Sequence, residues 1–579
     1  MKDVSNEYKV VMNQVVRPTS KFRASLEMID RSIESDATVT APEEIQFSTG
    51  VFDKVHECDY LTFEKDLFKL GSDMRISPDS HYLKNGYVSS VMCDENGVFS
   101  ETPTIEFVFK RPRSFVAMSY EFACAYPRSI RVTYYLSGVQ RGQFISMPDG
   151  LVFVDSENHI SDCDRITFEF LEMSEPYRRL RIARLIFGYE KQFTMRDIIS
   201  TDHTLSIDPI SSSLPYTKLS MKVINQSKDY NPDNPHGAWV YFTNGQPLSV
   251  YYGVAIGDKT EWVEAAHLLL SDAPTVDGTS ATFEAVDILS TLTDTYCKGV
   301  WRDGGISLYD AAIEVLSDAG VTDYSLPDSL KEIVTLSPLP MLPHRECLQL
   351  IANAGGCILC VNNRGTIVIE EQTHDEEADK FYLDFSKMFD KPVVKKTEKL
   401  KSVDVTVHSL YVDSAESELC KHSDIEINGT SEIQVVYDRA TNVSATVEGG
   451  ELLSAIYYAG VAFLVISAET TATVTVSGNK IIDDASIIVT TVDNKGEVCP
   501  LDNPLITNRD RAKTIGEWVA KYLESRNCYD ANFRQDFALD VNDVILIKSD
   551  FEDNIPARIT KLQYKLPGQT GSISVRRLG

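Results

Sequence analysis

Tyr126-Pro-Arg-Ser-Ile-Arg-Val-Thr-Tyr-Tyr135 is the stretch from which the fold class follows. A proline opens it, β-branched and aromatic residues fill it, and Ile130, Val132 and Tyr134 recur at every second position. That period puts one set of side chains on one face of a strand and the rest on the other. The same texture, bounded by turn residues, recurs at 8–16, 105–109, 165–170, 180–187, 219–224, 472–477, 487–491 and 544–547. The chain therefore reads as mainly β. A helical period appears in three places: 308–319, ended by Gly320; 345–354, ended by Gly355 and Gly356; and 509–526. In the last, Ile515, Val519, Tyr522 and Leu523 line one face, and Thr507 or Asn508 is placed to cap it.

At 579 residues the chain is too long for one core and predicts three to five domains. Asp and Glu number 85 against 56 Lys and Arg, a net charge of -29. Tight nucleic-acid binding is not expected, because affinity for phosphate comes from clustered cations releasing counterions. The 11 cysteines are irregularly spaced and read as reduced thiols rather than a disulfide framework. Cys357 and Cys360 form the only CxxC, but within an apolar strand-like run rather than at a helix start, so neither a zinc nor a redox site is expected. No cofactor is expected. The first residues carry Lys2, Asp3 and Glu7 where a signal peptide would be apolar, so synthesis in the cytoplasm is expected. The uncharged run 452–468 lacks flanking cations and holds Gly460, and it predicts two buried strands joined near Ala459 and Gly460 rather than a membrane span.

Catalytic motifs are weak. The ten histidines are isolated, and no GxSxG elbow, HExxH helix or P-loop is present. Cys420 and His422 are close in sequence, whereas a nucleophile and its base usually come from different elements. Glu370 and Glu371 are paired carboxylates of a kind that chance supplies in so acidic a chain. Asp375, Glu376 and Glu377 read as a solvated loop within 373–380.

From about residue 47 to 193, the runs Tyr60-Leu-Thr-Phe-Glu64, Gly86-Tyr-Val-Ser-Ser90, 99–109, Tyr126 to Tyr135 and Pro176-Tyr-Arg-Arg-Leu-Arg-Ile-Ala-Arg-Leu-Ile-Phe-Gly188 resemble the discoidin-like, carbohydrate-binding jelly rolls. In the closing run, Leu180, Ile182 and Leu185 are the residues expected to enter the core. Farther on, Asp208-Pro-Ile-Ser-Ser-Ser-Leu-Pro215, Asn244-Gly-Gln-Pro-Leu-Ser-Val-Tyr-Tyr-Gly253, Glu346-Cys-Leu-Gln-Leu-Ile-Ala-Asn-Ala354, Phe537-Ala-Leu-Asp-Val-Asn-Asp-Val-Ile-Leu-Ile547 and Pro556-Ala-Arg-Ile-Thr-Lys-Leu-Gln-Tyr564 resemble the hub proteins of phage and prophage tail tips.

The two resemblances imply β-barrels plus a β-sandwich, with an α+β domain in the middle. Residues 1–46 and 194–295 would form a first barrel split by the sandwich 47–193; 296–392 the α+β domain; and 393–579 a second barrel with an added β-rich segment and the helix 509–526. The function implied is a structural, non-enzymatic virion protein: a tail-tip or baseplate hub that closes the tube, assists attachment and passes DNA. Three copies would form a ring contacting the distal tail protein, the tail tube and the tape-measure protein, with an acidic lumen that repels DNA. The sandwich contains no Trp, so the aromatic platforms on offer for a host cell-surface glycan are Tyr82, Tyr87 and Phe99, with Asp79, His81, Asn85 and Asn96 as polar neighbours. A free carbohydrate-binding adhesin and a cell-wall hydrolase are the alternatives. Gly579 falls directly after the last expected barrel strand, so a lytic domain at that end is not expected.

Overall fold

The computed structural model of the protein describes residues 1–14, 16–29, 36–41, 44–47, 64, 87–115, 117–155, 158–234, 239, 242, 244–257, 259–372 and 381–578. Strands dominate, as the alternation predicts, and the chain divides into two compact units, 25–192 and 1–24 with 193–579.

Among the described residues, the 25–192 unit holds two five-stranded antiparallel sheets. One runs Ala37–Thr40, Thr104–Phe115, Ile160–Met173, Pro127–Leu136, Val139–Ser146. The other pairs Glu44–Phe47 with Tyr87–Met92, then Arg179–Thr194, Met118–Phe122 and Val152–Asp155. Ala37–Thr40 and Glu44–Phe47 thus pair within the sandwich, on the near side of residue 47. Alternate residues of the two sheets meet in one core in which Phe107 packs edge-on to Phe168 and Phe187, at 5.7 and 5.1 Å. Leu180, Ile182 and Leu185 all enter this core. Strict alternation would send residue 184 inward instead; a register shift between Ile182 and Arg184 advances the pattern by one.

In the other unit, two antiparallel arrays share a ladder. Pro247–Ile256 pairs with Lys259–Leu270; the latter meets Ser280–Val286, which pairs with Tyr216–Ile224 and that with Ile198–Ser206. The second array runs Val393–Lys396, Asn527–Arg534, Thr570–Arg577, Ile555–Leu566, Val544–Ile547. The long strand Ile555–Leu566 serves both: its first residues pair with Val544–Ile547, and Lys561–Leu566 pairs with Ser206–Thr201.

Between the arrays, helices Leu308–Asp318 and His344–Ala354 and the hairpin Cys357–Val361/Ile367–Glu371 share a core with the sheet Leu400–Val407, Ser486–Thr491, Glu497–Leu501 and with helix Arg509–Glu524. That last helix buries Ile515, Val519 and Tyr522 as its period predicts. Gly516 permits the close approach, since a Cβ there would lie 2.5 Å from Thr490 Oγ1. Asn508 is the cap: its side chain accepts the Asp510 N–H at 2.7 Å, while Thr507 Oγ1 accepts the Leu336 N–H. Asn508→Ala is expected to cost about 1 kcal/mol, read as a lowered urea midpoint for the unit that holds the helix.

Residues 410–483, within the stretch 395–503 that the resemblances match least, form a second sandwich. Its sheets are Leu410–Glu426/Thr471–Asp483/Ala440–Glu448 and Gly429–Val436/Val461–Ala468/Glu451–Tyr457. Here the apolar run departs from expectation. It forms a hairpin, but only Val461–Ala468 is substantially buried; Glu451–Tyr457 is an edge strand with Leu453 and Ile456 more than half exposed. The expected strand at 8–16 is also wrong. Residues Asn6–Met12 are helical because the Ser5 side chain accepts the Tyr8 N–H, and Tyr8 and Met12, one turn apart, are the buried pair. The β-branched Val10 and Val11 had suggested a strand. The segment 373–380, with Asp375, Glu376 and Glu377, lies outside the described residues. Among the described residues, no helix is long and apolar enough to cross a membrane.

Candidate functional site

The two arrays are fastened where Ile198–Ser206 meets Ile555–Leu566. Alternation on these strands turns His203 and Tyr564 inward, and Tyr252 arrives from Pro247–Ile256. Tyr252 stacks on Phe537 with centroids 4.4 Å apart and planes 10° from parallel; Tyr564 and Phe22 close the cluster at 5.5 and 5.6 Å from Tyr252. The hydroxyls have partners. Tyr564 donates to the carbonyls of Asp536 and Leu539, Tyr8 donates to Asp536 Oδ1 at 3.1 Å, and the Phe537 N–H donates to the Tyr8 hydroxyl. Lys2 N–H donates to the Ala538 carbonyl and the Met1 ammonium contacts Asp543 at 2.5 Å, which ties the first residues to the second array.

Burial sets the electrostatics. It raises the Tyr8, Tyr252 and Tyr564 phenols well above their usual value and raises the Asp536 carboxyl, against opposing hydrogen bonding and the charges of Arg17 and Lys387. His203, fully buried with its Nδ1 3.1 Å from the Tyr252 hydroxyl, is pushed down from 6.5 to about 3 by burial and then by Lys2. With the phenols protonated and the imidazole neutral at pH 7, the chemistry of this cluster is that of a fastener.

A pH dependence follows. The unfolded chain protonates His203 below 6.5 and the folded chain does not until about 3, so stability falls as pH drops from 6.5, at most about 1.4 kcal/mol per unit. Asp543 acts oppositely. Burial, partly countered by the terminal ammonium, raises it from 3.8 to about 6, so its contribution is present at low pH and lost as pH rises through 6. Asp543 is common to wild type and His203→Leu, so the difference in urea midpoint between them isolates His203. It is expected to shift in favour of the variant between pH 7 and pH 4.5; a constant difference would contradict the assignment.

The residues proposed from sequence for glycan contact are placed as follows. Tyr87 and Phe99 are buried in the sandwich core, where a ring face packed by its neighbours has nothing to offer a sugar. Asn96 is exposed in a turn where Asp94 Oδ1 accepts its N–H at 2.8 Å. Asp79, His81, Tyr82 and Asn85 lie outside the described residues. Glu370 and Glu371, adjacent on one strand, point to opposite faces and do not converge. Cys357 and Cys360, three apart on a strand, likewise diverge, and burial raises both thiols. Cys420 and His422 do meet, Sγ to Nε2 at 3.1 Å, on Leu410–Glu426, with Cys420 half-buried against the second sandwich's core and His422 exposed. Among the described residues, no group of three or more His, Cys, Asp or Glu could hold a metal. The aromatic fastener escaped the sequence reading because its members, Tyr8, Phe22, His203, Tyr252, Phe537 and Tyr564, come from six separated segments; the alternation in 198–206 and 555–566 was its only signal.

No protein-family model matches the chain, and neither does any curated protein. Among solved structures, the chain is similar to the 43 kDa tail protein of prophage MuSo2 from Shewanella oneidensis, at 13% identity over 67% of this chain and 95% of that one, with a TM-score of 0.37. It is similar to the tail protein from Neisseria meningitidis MC58, at 9% identity over 67% of this chain and 93% of that one, with a TM-score of 0.36. The prophage tail protein gp18 from Listeria monocytogenes EGD-e is also similar, at 9% identity over 67% and 91%, with a TM-score of 0.36.

Proposed function

We propose that this chain is a structural subunit of a phage-type tail tip, acting in the virion as a hub that closes the tail tube, assists attachment and passes DNA. The observation that carries the reading is the pair of antiparallel arrays fastened through one strand. Two comparable arrays per chain, repeated in three chains, offer six similar faces to a sixfold tube while the tip stays threefold. Ring closure would also cover edge strands that otherwise invite association. The distal tail protein, tail tube and tape-measure protein are the neighbours this placement implies. The excess of 85 acidic over 56 basic residues suits a lumen through which DNA passes without sticking.

Host contact falls to the sandwich within 47–193. Its glycan-contact residues are reduced to Tyr82 as platform, with Asp79, His81, Asn85 and Asn96 as polar neighbours. Labelling intact particles with an antibody raised against the chain tests the proposal. Label at the distal end of the tail is expected; label on the capsid, or purified particles without the chain, would contradict it.

A further inference from the structure

The turn 458–460, at the tip of the hairpin formed by the apolar run, docks beside helix Leu308–Asp318 and leaves a cleft of about 550 Å³ between them. Hydrogen bonds hold the turn in place. The Ala459 N–H donates to the Gly299 carbonyl at 2.7 Å, and the Tyr437 hydroxyl donates to the Tyr458 carbonyl at 2.6 Å. Only glycine fits at 299, where a Cβ would lie 2.2 Å from the Leu339 carbonyl oxygen.

Two cations and two anions line the cleft, already paired. Glu314 and Asp318 are one turn apart on the same face of the helix. Arg302 Nη2 donates to Glu314 Oε1 at 2.6 Å, and the Tyr296 hydroxyl lies 3.5 Å from Glu314 Oε2. Lys298 Nζ contacts Asp318 Oδ1 at 2.5 Å, and His344 Nε2 lies 2.9 Å from Asp318 Oδ2. Burial pushes the Asp318 carboxyl up, but hydrogen bonds from Lys298 and His344 outweigh it and hold the group below its usual range. Across the opening stands Tyr458, half-buried, its ring set edge-on to Phe463 at 6.2 Å.

We infer that this cleft binds a neutral saccharide. A charged ligand has no net partner here, because each cation and each anion already has one, and it would have to break a pair to gain one. A neutral polyol breaks none. Its hydroxyls can donate to the spare lone pairs of Glu314 and Asp318 and accept from the remaining N–H groups of Arg302 and Lys298, all charge-assisted hydrogen bonds. Its C–H face can lie on the Tyr458 ring. The volume falls in the range of small-ligand sites, and the turn that carries Tyr458, held by its hydrogen bonds, loses little freedom on binding. The site is separate from the sandwich proposed above for host contact, and it stands whether or not the chain belongs to a tail.

Saturation-transfer NMR on the full chain tests this, with maltotriose, mannotriose and triacetylchitotriose as neutral probes and a sialylated trisaccharide as the charged one. Transfer to at least one neutral probe is expected, with affinity reduced about tenfold or more in both Tyr458→Ala and Glu314→Gln while their melting profiles match wild type. Transfer to none of the neutral probes, transfer that survives both substitutions, or preference for the sialylated probe would overturn it. So would concentration-dependent self-association abolished by Tyr458→Ala, which would give the cleft to a second copy of the chain.

Discussion

Glu64→Ala is expected to destabilise the sandwich by about 3–5 kcal/mol, a large fraction of the roughly 5–15 kcal/mol that holds an ordinary domain folded. Glu64 and Arg181 form an ion pair in which neither side chain has any exposed surface. Glu64 Oε1 also accepts the Arg179 N–H at 2.9 Å, so the carboxylate holds the closing strand as well as the guanidinium. Removing it takes a fully buried partner from a fully buried guanidinium, a larger effect than the net worth of the pair. A double substitution, Glu64→Leu with Arg181→Met, removes both charges of the pair and is expected to recover most of the loss. Urea unfolding followed by hydrogen exchange over 87–192 distinguishes the outcomes. A single variant as stable as wild type, or a double variant no better than the single, would contradict the assignment.

Phe537→Ala is expected to cost a similar amount, about 3–5 kcal/mol, in the other unit. The ring is fully buried, stacked on Tyr252 and 5.4 Å from Tyr564. Its loss opens a cavity at the ladder that fastens the two arrays, and its backbone N–H is the donor that seats the Tyr8 hydroxyl. Hydrogen exchange should therefore show lost protection both in Asn6–Met12 and along the ladder between Ile198–Ser206 and Ile555–Leu566, with the sandwich unchanged. Loss confined to the residues beside 537 would mean that the cluster does not couple the arrays.

Strands with one buried face were legible from sequence because a period of two is written directly in residues such as Ile130, Val132 and Tyr134. The three longer helices were legible for the same reason at a period of 3.6. Local chemistry outweighed pattern at 6–12, where a Ser5 cap turns a valine-containing run into a helix. Arg181 shows a different limit. Between Leu180 and Ile182, alternation sends it away from the core and suggests solvent, yet a distant carboxylate covers it, and no local pattern carries that information. Tyr87 and Phe99 fail in the opposite direction: offered as platforms for a glycan, they are core residues by their packing. The cleft beside Tyr458 was out of reach, because its walls come from residues some 150 positions apart, brought together by a turn whose docking partner the sequence does not mark.

The central claim is the ring. Cryo-EM of intact particles carrying this chain, reconstructed at the tail tip without imposed symmetry, tests it most directly. Three copies around the tail axis are expected, with both arrays of each chain facing the tube and acidic side chains in excess along the lumen. One or six copies at the axis, or a lumen lined by Lys and Arg, would contradict it.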